Sequence, residues 1–197
     1  MLTVTNIIEG AYYAVDQAGQ LLNDAALLYQ RRRWPTSLVL SVFCLEELGK
    51  AEALLCIASD AANSSPKSVR QVQKGLTDHV AKLKSARKVT ITASLGSWGD
   101  TPPLDITQQL QNVFEINQEN APKEAHALRK AAMFVDLRDD ESWRRPAETT
   151  SDVAEYELRV ARIEYSRCRE IFVNPTDAVV RQALVELARR LPALPVF

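Results

Sequence analysis

Two short stretches of this chain carry the residue types that proton transfer and phosphate binding need. In Leu45-Glu-Glu-Leu-Gly-Lys50, Glu46 and Glu47 stand four and three residues before Lys50. On a helix both spacings set carboxylate and ammonium side by side on one face. In His79-Val-Ala-Lys82 an imidazole and an ammonium share a face in the same way, and Lys84 follows. An exposed Glu–Lys pair of this kind is worth only ~0.3–0.5 kcal/mol. Its position suggests more. Leu38, Val39, Leu40, Val42, Phe43, Cys44 and Leu45 leave the preceding two turns almost without a polar face, so the charges extend a helix built for burial. Buried acid–amine groups shift one another's protonation, as functional sites require. Histidine is the side chain best suited to exchange protons near neutral pH. The chain has two; the second, His126, lies on a polar-looking helix and reads as background.

Charge distribution adds one asymmetry. The segment 67–88 holds Lys67, Arg70, Lys74, Lys82, Lys84, Arg87 and Lys88 against the single acid Asp78. That is either a solvated helix face or a stripe that meets phosphates. The net charge of -1 names no partner. Other chemistries lack their motifs. A di-metal carboxylate bundle needs Glu-x-x-His pairs on two helices, whereas Glu124-Ala-His126 has the wrong spacing and no second copy. There is no glycine-rich phosphate loop, no GxSxG turn, and no zinc or haem motif. No metal and no cofactor is expected. Cys44, Cys56 and Cys168 show no metal-ligand spacing and read as buried, reduced thiols.

The elements that must position these groups are helices. Only 6 glycines occur, and β-branched residues are scattered singly. Steps of three and four through Ile8, Ala11, Tyr12, Val15, Ala18, Leu22, Ala25 and Tyr29 predict a first helix over 5–32. A turn at Trp34-Pro35 makes the second helix, ending near 59–62, its antiparallel neighbour. The pattern resumes at 77–78. Further helices are expected at 105–117, at 121–132 behind Pro122, from a Thr150-Ser-Asp152 capping pattern to Asn174, and over 177–191. Val153, Tyr156, Val160, Ile163 and Ile171 form the expected seam of the long one. Ser94–Pro103 reads as a surface loop, and 133–147 as an ordered non-helical excursion. The fold class is all-α: an antiparallel helical bundle with long core helices, that excursion, and a C-terminal helix. We expect a single domain over 1–197, with 175–197 as an accessory helix. No signal peptide and no membrane span is expected.

Three motifs in order complete the picture: Leu45-Glu-Glu-Leu-Gly-Lys50, His79-Val-Ala-Lys82 and Lys130-Ala-Ala-Met-Phe-Val-Asp136, with Trp143 and Pro146 following. Together they resemble the AbiV-type abortive-infection proteins of the HEPN superfamily of helical bundles. The resemblance spans about 6–146. It implies a bacterial cytoplasmic protein of anti-phage defence, pairing as a homodimer, in a superfamily where many members cut RNA without a metal. Active members usually carry Arg, four to six residues, then His. Here Arg70 and His79 are separated by eight, so the usual motif is missing and the enzyme assignment stays open. The catalytic candidates implied by the resemblance are Glu47, Lys50, His79, Lys82 and Asp136. His79 or Glu47 would serve as base or acid. Lys50 and Lys82 would supply charge, Asp136 would orient, and Arg70, Lys74 and Lys84 would hold RNA. The alternative is a non-catalytic module that binds a phage or host protein, with the Glu–Lys–His cluster as a structural polar network.

Overall fold

A computed structural model describes residues 2–63, 72–73, 76–86, 120 and 122–196. The expected helix at 105–117, the 94–103 loop, and Arg70 and Lys74 lie outside them. Helix α1 spans Val4–Gln30. The Thr3 side chain accepts from the Asn6 amide while the Asn6 side chain reaches back, satisfying two amides that the first turn leaves orphaned. Helix α2 spans Trp34–Asn63, so short a link after α1 that the two pack antiparallel. The Ser37 hydroxyl donates to the Ala25 carbonyl at 2.8 Å and pins the hairpin from inside.

Residues 79–86 form α3, opened by Asp78, whose carboxylate accepts from the Val80 and Ala81 amides. Residues 122–133 form α4. A two-stranded antiparallel ribbon follows, β1 (Asp136–Leu137) with β2 (Trp143–Arg144), and then a 3-10 turn at Pro146–Glu148. Helices α5 (Ser151–Val173) and α6 (Ala178–Leu187) complete the bundle. The architecture is the expected all-α bundle, and the excursion is this ribbon.

Helix α2 packs against both α1 and α5. Its Leu38, Val42, Leu45, Leu48, Ala51 and Leu54 are buried against Ile8, Val15, Leu22, Leu158 and Tyr165, as an all-round apolar helix must be. Helix α5 departs from its expected seam. Tyr156 and Ile163 are about half exposed, and Ala154, Glu157, Leu158, Ala161, Glu164, Tyr165 and Cys168 are buried instead. Val160 is buried and Val153 and Ile171 are partly buried as expected, but alanines and two glutamates carry little hydropathy signal, so the bulkier apolar residues point to a face turned from the one actually buried. The capping pattern also works differently: Thr150 is the N-cap but its side chain caps nothing, and Glu155 accepts a hydrogen bond from Tyr29 of α1. Cys44 and Cys168 are buried as expected, and Cys56 is exposed. Beyond α6, which ends four residues short of the expected 191, the chain runs back over the bundle. The Tyr12 and Tyr165 hydroxyls donate to the Pro192 and Pro195 carbonyls.

Candidate functional site

Glu46 is the centre of the polar site. Its carboxylate is buried, and each oxygen has its own donor. Nδ1 of His79 lies 2.7 Å from Oε2, and Nη1 of Arg129 lies 2.8 Å from Oε1. Three helices therefore meet on one side chain: α2 with Glu46, α3 with His79, and α4 with Arg129. The guanidinium also sits 5.0 Å from the centre of the Phe43 ring, one turn before Glu46 on α2. Its other terminal nitrogen, Nη2, lies 3.1 Å from Nδ1 of His126 on the same helix. Arg129 is only 8% exposed. It stands behind the site and would not touch a ligand directly.

These contacts fix both imidazole tautomers. A carboxylate only accepts, so a neutral His79 carries its proton on Nδ1 and its lone pair on Nε2. A guanidinium only donates, so Nδ1 of His126 accepts, and the proton of neutral His126 is on Nε2. The two rings lie 6.0 Å apart, tilted by 31°. The His79 side chain is half exposed. The His126 pKa is held below its usual value, first by burial and then by the positive charge of Arg129. Protonating Nδ1 would also break the Arg129 contact. The surface therefore presents one acceptor nitrogen beside one N–H donor, each fixed by a buried charge.

Helix α3 can approach so closely because α2 has no side chain at Gly49. A Cβ there would lie 1.9 Å from the Lys82 carbonyl oxygen. Contacts run in step, with Glu46 on His79, Gly49 on Lys82, and Glu52 accepting from the Ser85 hydroxyl at 3.3 Å. A spacing of three on both helices means that they run parallel over this stretch.

Of the residues expected to act, the structure brings His79 to the centre. Lys50 turns to Glu47, with Nζ 2.6 Å from Oε1. The two form a half-buried pair one position round the helix from Glu46. Lys82 is buried at the α2–α3 crossing, and Lys84 is exposed. Asp136 is exposed on β1, its carboxylate accepting from the Leu137 amide. No contact among the described residues joins it to His79 or Lys50. The sequence reading names Glu47, whereas the carboxylate that meets His79 and Arg129 is that of Glu46, and neither Arg129 nor His126 is among the residues it names for the site. The available signal was His126-x-x-Arg129, an imidazole and a cation one turn apart. Among the described residues no group of three or more His, Cys, Asp or Glu side chains could hold a metal ion.

A family model of the HEPN group AbiV matches residues 6–165. The chain belongs to the AbiV family. The matched span takes in all of α2, α3 and α4, and so every residue of the Glu46 cluster. The family makes this an abortive-infection protein of HEPN type. No curated protein and no solved structure matches the chain. Among the described residues, no helix of this AbiV protein is long and apolar enough to cross a membrane.

Proposed function

We propose that this AbiV protein is an anti-phage effector that cuts RNA without a metal, with His79 as the general base. The observation that carries this reading is the Glu46–His79 hydrogen bond, beside a second imidazole held in the opposite tautomer. Nε2 of His79 takes the proton of a ribose 2′-hydroxyl as O2′ attacks phosphorus. The buried Glu46 carboxylate stabilises the imidazolium that forms. The Nε2–H of His126 donates to a non-bridging oxygen as charge builds on the phosphorane. The P–O5′ bond breaks, and O5′ takes the proton back from His79. The products are a 2′,3′-cyclic phosphate and a 5′-hydroxyl, and His79 is regenerated. Arg129 is a positioning residue. The test is incubation of the purified protein with total RNA in EDTA, beside His79→Ala. Cleavage that His79→Ala abolishes supports the proposal; equal cleavage by both, or none by either, removes it.

A second reading rests on a different observation: Glu46 and Arg129 are both buried and join α2 to α4. Such a pair can fix helix register without chemistry. In that case the protein would act by binding a phage or host protein, or through its own dimer. His79→Gln separates the two readings. It keeps the fold under both, and it removes toxicity only under the first.

A further inference from the structure

On the side of α4 away from its histidine lies a second feature. Leu128 and Ala131 are roughly 140–200° round the helix from His126 at 100° per residue. They line a cavity of about 290 Å³ between α4, the ribbon and the start of α5. Leu38 and Val153 complete an apolar floor. Arg138, Arg144 and Arg145 stand round it against one carboxylate, Glu148. Glu148 pairs with Arg138 and lies 3.9 Å from Nε of Arg145. Arg144 makes no ion pair among the described residues, and the lining keeps an excess of two positive charges. A second hollow of about 310 Å³ shares Leu128, Ala131 and Arg144 and continues along α4 to Glu124. The two adjoin as one open channel along α4, lined by three arginines against Glu148 and Glu124.

We infer that this channel holds an unpaired nucleotide of an RNA strand, its base on the Leu38–Val153 floor and its phosphates on Arg144 and Arg145. The inference rests on the RNA reading above and locates where the strand is held. Guanidinium groups around an apolar floor match a nucleotide, which joins an anion to a flat apolar face. A base in a duplex cannot present that face to a cavity, so the strand must be single. The channel runs on past the cavity, so a polymer can pass. One helix diameter, about 10–12 Å, separates it from the histidine pair, which a strand curving round α4 spans in a few nucleotides.

The test uses full-length His79→Ala, so that binding is read without cleavage, with and without Arg144→Ala/Arg145→Ala. Anisotropy of a 5′-labelled single-stranded oligoribonucleotide is followed across a salt series. Two lost phosphate contacts should make the salt slope shallower by about 1.4 and weaken binding about 25-fold at 0.1 M salt. The Arg144→Lys/Arg145→Lys pair, which keeps the charge, should keep the slope. Both arginines are exposed, and circular dichroism checks that the variants fold. Unchanged affinity in the alanine variant overturns the inference. So does equal affinity for a duplex of the same sequence, or binding of a mononucleotide but not the strand. Absence of cleavage by the parent protein, with this binding pattern intact, would count against the catalytic reading alone.

Discussion

Gly49→Ala isolates the geometry that seats His79. A methyl group at residue 49 would meet the Lys82 carbonyl oxygen at 1.9 Å and its carbon at 2.5 Å, both backbone atoms. Real Cβ contacts essentially never fall below 3.0 Å, so α3 must retreat by about 1.1 Å or turn away. His79 lies one turn earlier on α3, and its hydrogen bond to Glu46 is 2.7 Å long. A retreat of that size takes it beyond hydrogen-bond range. Overpacking costs about 1–3 kcal/mol, and a buried carboxylate oxygen left without its donor costs about 1–3 kcal/mol. Alanine returns about 1 kcal/mol of helix propensity. The net expectation is a loss of roughly 1–5 kcal/mol, read as a lower midpoint in urea unfolding followed by circular dichroism. The His79 ring signals should move in the NMR spectrum of the same sample. A variant about 1 kcal/mol more stable than the parent, as propensity alone predicts, with His79 unmoved, would refute the close crossing.

Arg129→Ala leaves the buried Glu46 carboxylate without its guanidinium and should cost about 3–5 kcal/mol in chemical denaturation. Replacing both partners, Glu46→Leu with Arg129→Met, should recover much of that loss, since two apolar groups need no pairing. His126 has a folded-state pKa below its usual value of 6.5. Below that pH the unfolded chain binds the proton more readily than the folded one. The His126 contribution to stability is therefore complete above about 6.5 and is lost as the pH falls toward the folded value. His126→Asn should flatten that acid-side slope in a series of melting curves. Tyr165→Phe removes the hydroxyl that holds the Pro195 carbonyl. It should cost about 0.5–1.5 kcal/mol, seen as a small drop in melting temperature with helix content unchanged.

The long helices were legible because their signals are local. Residue 5, Trp34-Pro35, Asp78 and Asp177 each mark a start that the structure keeps to within a residue or two, and the α1 seam is buried almost as its spacing predicts. What sequence could not supply is which neighbour a polar side chain meets. Glu46 and Glu47 are adjacent and chemically alike, and both are spaced to reach Lys50. Only the rotation of α2 in the bundle turns Glu46 inward and leaves Glu47 to Lys50. Arg129 and Glu46 are 83 positions apart, beyond any periodicity. His126 reads as background because its helix looks polar, and nothing in the sequence says that its neighbour Arg129 is buried. Helix α5 misled for the related reason that buried glutamates do not show in hydropathy. Gly49 is a middle case: glycine inside a helix signals close approach, but not what approaches.

End-group analysis of the RNA products tests the central claim most directly. The protein is incubated in EDTA with a single-stranded oligoribonucleotide and with its 2′-deoxy counterpart. The account predicts 2′,3′-cyclic phosphate ends from the first, no cleavage of the second, and loss of the reaction in His79→Ala. Cleavage of the deoxy strand, or undiminished cyclic-phosphate formation in His79→Ala, would contradict it.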